Sequence, residues 1–161
     1  MHRIQIRPME ELLPQVEQVL GRQTPKLQHL APGVVIEHIG STAIPGTVTK
    51  GDVDVVLRVS ATAFTTVVSA LRTVYKVAQP DNWTAEFASF KDDDTAPLPF
   101  GVQVMVIDSE NDHLVALRDL LRNNPAARAQ YNEVKLKHHG SDAETYWQAK
   151  SIVINDLLAR L

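Results

Sequence analysis

The sequence predicts an α+β fold, in which helices pack on a mixed β-sheet and the C-terminal third of the chain is helical. Three observations support this prediction. Runs rich in Val and Ile, bounded by Gly and Pro, indicate strands at residues 34–39, 52–59 and 100–107. A helical stripe of apolar residues follows the second of these strands. After residue 112 the patterns are helical.

Composition limits the class of protein. A chain of 161 residues with 44% hydrophobic and 22% charged residues suits one soluble globular domain. The formal net charge of −3 argues against a nucleic-acid partner. The absence of cysteine excludes disulfides and thiolate metal sites. Since the sequence shows neither a signal-peptide pattern nor an apolar run of the roughly 20 residues that span a bilayer, we expect a cytoplasmic protein.

The N-terminal part predicts a strand and then a helix. Residues 4–8 form the short strand. An amphipathic helix is expected within residues 9–20. Pro14 must lie in its first turn, or the helix is kinked, because a proline lacks the N–H and clashes with the preceding turn. Gly21 predicts the end of this helix, and residues 24–33 are expected to form a shorter helix or a loop.

The middle of the chain predicts a helix and then a β-hairpin. Ser60 is suited to cap the helix. The hairpin covers residues 85–107, and its turn contains an acidic run at residues 92–94. This run is expected to be a solvated turn, although a metal site there is the alternative. The apolar face of the helix comprises Phe64, Val67, Val68, Leu71, Val74 and Tyr75.

The C-terminal part predicts three helices. The first covers residues 112–122. Asn124, as a cap before a proline, opens the second, which has a basic end and stops at Gly140. Residues 141–144 match a capping box with Ser141 as the cap, and this pattern predicts the start of the third helix. Because repeats and linkers are absent, residues 1–161 are expected to form a single domain.

The central stretch at residues 38–59 carries the chemistry. Gly40 and Ser41 are separated by ten residues from an Asp-Val-Asp sequence at Asp52 to Asp54. On one strand these two acids would share a face about 7 Å apart, where they could bind Mg²⁺ or Mn²⁺. A glycine-serine bend can hold a phosphate beside them, and phosphoryl or nucleotidyl transfer needs this combination. The alternative is a pair of solvated aspartates on a half-exposed strand.

These residues also carry a family resemblance. The run from His38 to Gly46, H-I-G-S-T-A-I-P-G, followed by Lys50, resembles the GrpB family. Gly40-Ser41 with Asp52-x-Asp54 resembles the signature of the nucleotidyltransferase superfamily. The resemblance implies a nucleotidyltransferase-like mixed sheet. It also implies metal-dependent nucleotidyl transfer, from a nucleotide to an unknown small acceptor, with Asp52 and Asp54 as catalytic residues and metal ligands.

Further candidates surround this motif. Lys50 is equally well explained as an ion-pair partner of the acids. His38 is expected to be either a packed histidine or a base. The residues expected to bind substrate phosphate are Gly40, Ser41, Thr42, Lys50, Lys91 and Lys150. The family-matching residues Arg118, Lys135 and Tyr146 are each expected to be surface residues or structural partners.

One departure from the superfamily pattern keeps a second function open. The third carboxylate of the superfamily would fall on the strand at residues 100–107, where this chain has Gln103. Glu86 is a possible substitute for it. An amide adds no charge to a metal site, so the alternative is a non-catalytic module of the same fold that binds a nucleotide, a phosphate or a partner protein. The oligomeric state is not predicted.

Overall fold

The computed structural model describes residues 3–92 and 97–161. Its strands are β1 (Arg7–Pro8), β2 (Ile36–Ile39), β3 (Val48–Thr49), β4 (Val53–Val59), β5 (Lys76–Val77), β6 (Phe87–Asp92) and β7 (Phe100–Val106). Its α-helices are α1 (Leu13–Leu30), α2 (Ala61–Arg72), α3 (Leu114–Asn123), α4 (Pro125–Lys137) and α5 (Ala143–Leu158). In the described ranges, no helix is both long and apolar enough to cross a membrane.

A five-stranded sheet in the order β2-β4-β7-β6-β5 forms the centre of the fold. Strand β4 runs parallel to β7, whereas the other neighbours are antiparallel. The predicted mixed sheet is therefore confirmed. Strands β1 and β3 pair separately as a short antiparallel ribbon, with Arg7 opposite Thr49.

The two faces of the sheet have different partners. One face, which includes Val55 and Leu57, packs against α1 and α2 and forms the main hydrophobic core. On the other face, Val56 and Met105 contact Leu114 of α3. Because side chains alternate along a strand, Asp54 of β4 belongs to this second face, on the side of the C-terminal helices.

Helix α1 continues through Gly21, so the predicted stop at that residue is wrong, and residues 24–33 do not form a separate element. Gln23 and Leu27 each have only 1% of their surface exposed and extend the buried face of the helix. Their burial outweighs the one helical hydrogen bond that Pro25 cannot donate.

The N-terminal strand is shorter than predicted. Only Arg7–Pro8 pairs as a strand, and the preceding Ile4 and Ile6 are buried against Tyr146 of α5. Alternating isoleucines indicated a strand, but here they fill a pocket in the helical layer. This contact joins the N-terminus to the last helix.

The start of α2 is confirmed and its end is corrected. The backbone N–H of Ala63 donates to the Ser60 hydroxyl over 3.2 Å, as a capping residue requires. The helix ends at Arg72, so Val74 and Tyr75 lie beyond it. Tyr75 nevertheless belongs to the core, since it packs from the following turn.

Caps also define α4 and α5. Asn124 accepts from the N–H of Ala127 over 3.0 Å, which confirms the predicted cap. The cap of α5 is Asp142 instead of Ser141, and it accepts from the N–H of Thr145 over 2.8 Å. A carboxylate is the stronger acceptor at a helix N-terminus, because it also complements the macrodipole.

The pairing of β6 with β7 confirms the predicted hairpin. Asp92 is the last residue of β6, whereas Asp93 and Asp94 of the acidic run lie outside the described residues. Strand β5 was not predicted. Its two residues, Lys76 and Val77, are too few to show a period-two pattern.

The continuity of α1 gives a stability prediction. Leu27→Ala should lower the free energy of unfolding by about 2–4 kcal/mol, because it opens a cavity in the core. Leu13→Ala, at a site that is 41% exposed in the same helix, should cost less than about 1 kcal/mol. Urea unfolding measures both. Equal small effects would show that the second half of α1 does not support the core.

Candidate functional site

A cavity of about 490 Å³ lies between the second face of the sheet and helices α3, α4 and α5. Its apolar walls include Ile39, Leu117 and Leu121. Its polar lining consists of Asp52, Asp54, Gln79, Ser89, Lys91, Gln103, Arg118, Tyr131 and Lys150. The two acids singled out in the sequence therefore open into the same space.

Asp54 lies in β4 directly opposite Gly101 of β7. A Cβ atom on Gly101 would come within 2.5 Å of Asp54 Oδ1, and one on Gly40 would come within 3.3 Å of Oδ2. Oδ1 thus occupies space that a side chain at residue 101 would take, whereas Oδ2 makes a tight approach to Gly40. In the described part of the chain, no other residue donates a hydrogen bond to this carboxylate.

The environment of Asp54 disfavours its charged form. Burial, and after it the nearby Asp52 carboxylate, raises the pKa of Asp54 to about 6, while Lys150 and Lys50 act in the opposite direction. A half-buried carboxylate beside a second one, with no hydrogen-bond donor among the described residues, is typical of a site that binds a cation.

Asp52 lies one residue before β4, so the expectation that both acids project from one strand is wrong for Asp52. Its carboxylate accepts a hydrogen bond from the Lys50 ammonium in an ion pair. The ion-pair explanation of Lys50 is therefore correct in this structure. The pair still borders the open cavity, because Asp52 lines it.

The loop after β2 uses most of its polar groups internally. Gly40 lines the cavity and has a φ of 77°, a conformation that favours glycine. The Ser41 hydroxyl donates to Thr49 Oγ1 over 2.9 Å, and the buried Thr42 hydroxyl donates to the backbone oxygen of Asp52 over 3.1 Å. Of these three predicted phosphate-binding residues, only Gly40 lines the cavity.

His38 is a packed histidine. Its Nε2 lies 2.9 Å from Thr42 Oγ1. Burial, followed by Arg122 and Arg118, lowers the pKa of His38 to about 4. The ring is therefore neutral at pH 7 and supports the loop that shapes the site.

The cations predicted to bind phosphate lie on two sides of the acids. Lys150 of α5 lines the cavity, and its ammonium is 4.5 Å from the centroid of the Trp147 ring. The ammonium of Lys50 is 5.1 Å from the same ring. Lys91 lines the cavity from β6, opposite Gly101 in the sheet. The fold thus places Lys50, Lys91 and Lys150 around one space, although they are far apart in sequence.

Lys135 is a buried structural partner. It was expected at the surface or in a structural pair, and the second is correct, since only 1% of it is exposed. Its ammonium donates to Val48 O over 2.7 Å and lies 4.2 Å from the Tyr131 ring centroid. Burial, followed by Lys150 and Lys50, holds the pKa of Lys135 well below its usual range. The i, i+4 relation of Tyr131 and Lys135 on α4 was the signal available.

Two further family-matching residues have structural surroundings. Arg118 lines the cavity, but it donates to Glu37 Oε2 over 2.7 Å and to His38 O over 3.0 Å, which ties α3 to β2. Tyr146 is buried in α5, and its hydroxyl has no hydrogen-bond partner among the described residues. Burial raises the pKa of Tyr146 to about 12.

Among the described residues, no further acid takes the third acidic position in the cavity. Gln103 lines the cavity from β7. Glu86 is exposed before β6 and does not line the cavity, so the suggestion that it substitutes is wrong. In residues 3–92 and 97–161, no group of three or more His, Asp or Glu side chains is placed to hold a metal. The candidate metal site consists of Asp52 and Asp54.

The architecture defines a nucleotidyltransferase-like fold. Solved structures of the Cid1 poly(U) polymerase share it, and the form with bound MgGTP has a TM-score of 0.53, 15% identity and coverage of 81% of this chain and 42% of that one. The conserved protein GrpB from Enterococcus faecalis gives a TM-score of 0.70 at 19% identity, over 96% of this chain and 98% of that one. At such identities the likeness shows the fold alone.

The chain belongs to the GrpB family, because the model of that family, described as GrpB protein, matches residues 6–160. A UPF0157 protein of Vibrio cholerae is 33% identical over 132 residues, which cover 81% of this chain and 69% of that protein. A UPF0157 protein of Halalkalibacterium halodurans is 33% identical over 135 residues, which cover 78% of this chain and 66% of that protein. The chain thus spans about two thirds of the length of these relatives.

The raised pKa of Asp54 predicts a pH-dependent stability difference. An acid whose pKa is higher in the folded state destabilises the protein as pH rises from the unfolded value near 4 to about 6. Asp54→Asn should therefore stabilise the protein by roughly 1–3 kcal/mol at pH 7.5 and by little at pH 4. Urea unfolding at several pH values measures the difference. Asp156→Asn, at an exposed site of α5, is the control and should show no such trend. A stability difference that does not change with pH would contradict the assignment.

Proposed function

We propose that this chain binds Mg²⁺ or Mn²⁺ together with a nucleotide, or another phosphorylated small molecule, and transfers a nucleotidyl group to a small acceptor. The observation that carries the proposal is the carboxylate of Asp54, which faces the cavity between Gly40 and Gly101 and accepts no hydrogen bond from residues 3–92 or 97–161. A net charge of −3 favours a small ligand over a nucleic acid.

The residues present fit a magnesium ion. Mg²⁺ in phosphate-transfer sites is commonly held by one or two carboxylates, and substrate phosphates and waters complete its octahedron. Asp52 and Asp54 supply the two carboxylates. Both carboxylates line the cavity, so a ligand in that space can reach them. Gln103 could add an amide oxygen, which is a weak and uncharged ligand.

Three lysines supply the positive charge of the site. Lys150 and Lys91 line the cavity on different sides of Asp54. Lys50 is paired with Asp52, so a metal ion at Asp52 would compete with it and leave its ammonium available to a phosphate oxygen. Positive charge at several points around the transferred phosphoryl group is the main requirement of this chemistry.

The bound metal ion would neutralise phosphate charge and lower the pKa of the attacking hydroxyl. The protein residues would hold the metal ion and limit the access of water to it. Asp52 and Asp54 anchor the ion, and His38 with Thr42 keeps the backbone of Asp52 in place. The apolar wall from α3, represented by Leu117, limits the access of water.

A non-catalytic module is the second candidate, and Gln103 is the observation that favours it. An amide at this position contributes no charge to activate an acceptor, whereas binding of a nucleotide or phosphate needs only the two acids and the lysines. A partner-binding role of the same fold belongs to this class. Release of pyrophosphate from a nucleoside triphosphate across a panel of small hydroxyl and amine acceptors distinguishes the enzyme from the module.

The acid pair gives the first binding prediction. Isothermal titration of the four common nucleoside triphosphates should show binding that requires Mg²⁺ or Mn²⁺. Asp54→Asn should weaken it more than tenfold, about 1.4 kcal/mol or more, because it removes half of the protein charge on the ion. Asp156→Asn removes the same charge from the exposed end of α5 and should leave the affinity unchanged. The absence of metal-dependent binding in the wild type would end the proposal.

Gly101→Ala tests the glycine cradle without removing a carboxylate. Its Cβ would lie 2.5 Å from Asp54 Oδ1 and must displace that side chain. We expect loss of metal-dependent nucleotide binding comparable with that of Asp54→Asn. Gly21→Ala, where a Cβ has no atom within 4 Å, should bind normally and gain about 0.5–1 kcal/mol of stability. Normal binding by a folded Gly101→Ala protein would show that Asp54 does not need its observed position.

A further inference from the structure

A second polar feature lies on the floor of the cavity, apart from the acids. Ser89 of β6 and Gln103 of β7 are directly opposite each other in the sheet, and both line the cavity. Opposite residues of an antiparallel pair have Cβ atoms about 5 Å apart. Their side chains therefore present neighbouring hydrogen-bonding groups to the cavity, and we call these two residues the neutral pair.

Among the residues that the structure describes, the neutral pair has no hydrogen-bond partner. Only 6% of Ser89 is exposed, and neither side chain makes a hydrogen bond to another residue in the described ranges. The Ser89 hydroxyl and the Gln103 amide are not among the fully buried, unpartnered atoms of the described residues, and both side chains line the cavity. Their hydrogen-bonding groups are therefore accessible to a ligand there. We therefore expect these two groups to form hydrogen bonds with a ligand in the cavity.

The surroundings of the neutral pair indicate the chemistry of that occupant. On one side along the strands lies the row that contains Asp54, Gly101 and Lys91, where charges collect. On the other side lie Phe87 and Met105, which are packed in an apolar cluster that includes Leu114 of α3. A group bound at this boundary needs apolar faces and uncharged hydrogen-bonding edges.

We propose that the neutral pair binds the base of a nucleotide whose phosphates lie at Asp52 and Asp54, an inference that rests on the proposed function. The amide of Gln103 offers a donor and an acceptor side by side, the pattern that matches the edge of a base. The hydroxyl of Ser89 can donate or accept beside it. Leu117 on α3 lines the same cavity and supplies an apolar surface for the flat faces of the ring.

The sheet geometry agrees with the length of a nucleotide. Gln103 is opposite Val56, two residues along β4 from Asp54. With about 3.3 Å per residue and about 4.8 Å between strands, the two positions are roughly 8 Å apart. A ribose can bridge that distance between a phosphate and a base. In this arrangement Gln103 selects the base and does not replace a missing metal ligand.

The test compares ligands with and without a base. Titrations at saturating Mg²⁺ use ATP, GTP, CTP, UTP and inorganic tripolyphosphate against the wild type, Ser89→Ala, Gln103→Leu and the double variant. Each single variant should weaken the tightest of the four nucleotides about fivefold, whereas tripolyphosphate should bind within twofold of its wild-type affinity. Gln18→Leu, on the exposed face of α1, is the matched control and should change neither affinity.

A further variant keeps the test informative if Gln103→Leu does not fold. Gln103→Glu preserves the size of the side chain but loses both N–H donors, so it should change the order in which the four nucleotides bind. Thermal melting of each variant confirms that it is folded.

The outcomes separate the two proposals. Unchanged nucleotide affinity in the folded variants, an equal loss for tripolyphosphate, or an unchanged order in Gln103→Glu would overturn the role of the neutral pair and leave the proposed function standing. Wild-type protein that binds none of the four nucleotides with Mg²⁺ would overturn the proposed function itself and this inference with it.

Discussion

The site depends on one close approach, that of the Asp54 carboxylate to two glycines. Parallel pairing of β4 with β7 puts Gly101 beside Asp54, and the turn after β2 brings Gly40 to the other oxygen. A side chain at residue 101 would displace the carboxylate, and one at residue 40 would crowd its other oxygen. Its pKa of about 6 shows that the fold pays for this position in electrostatic free energy. A costly group without a structural partner is typical of a functional site.

The helical layer places lysine side chains near the two acids that the sheet positions. Helices α4 and α5 bring Lys135 and Lys150 towards the acids, and Lys50 arrives from the loop that precedes β4. Lys135 is unusual in this group, because it is buried against the Tyr131 ring and has a single backbone acceptor. The lowered pKa of this lysine reflects burial and the positive charge around it. Such a concentration of cations beside two acids suits a ligand that carries both a metal ion and phosphates.

The second face of the sheet changes character along the strands, from charged to neutral to apolar. Asp54 lies at the charged end, the neutral pair in the middle and Met105 at the apolar end. This order matters for the choice between an enzyme and a binding module. The amide of Gln103 is a poor substitute for a catalytic carboxylate, yet it is well suited to recognise an uncharged group. Gln103 thus both stands where the superfamily has its third acid and supplies the group proposed to recognise the base.

Much of this protein could be predicted from local patterns. Alternation of Val and Ile identified the central strands, the hairpin around β6 and β7 followed from two such runs with a turn between them, and the caps at Ser60 and Asn124 followed from single residues. These features depend on neighbours in sequence, so they are visible there. The end of α1 was misjudged at Gly21 because the burial of Leu27, which keeps the helix going, comes from contacts with distant residues.

The sequence by itself determined the family motif and the pair of acids near a glycine-serine turn. Only the tertiary structure decided which groups meet them. Thr42 and Ser41 looked like phosphate ligands, but their hydroxyls hold the loop together. Lys135 was expected at the surface or in a structural pair, and the structure shows the second, a buried side chain bonded to Val48 and placed over Tyr131. Long-range packing sets these outcomes, because strand order and helix docking join residues that are far apart along the chain.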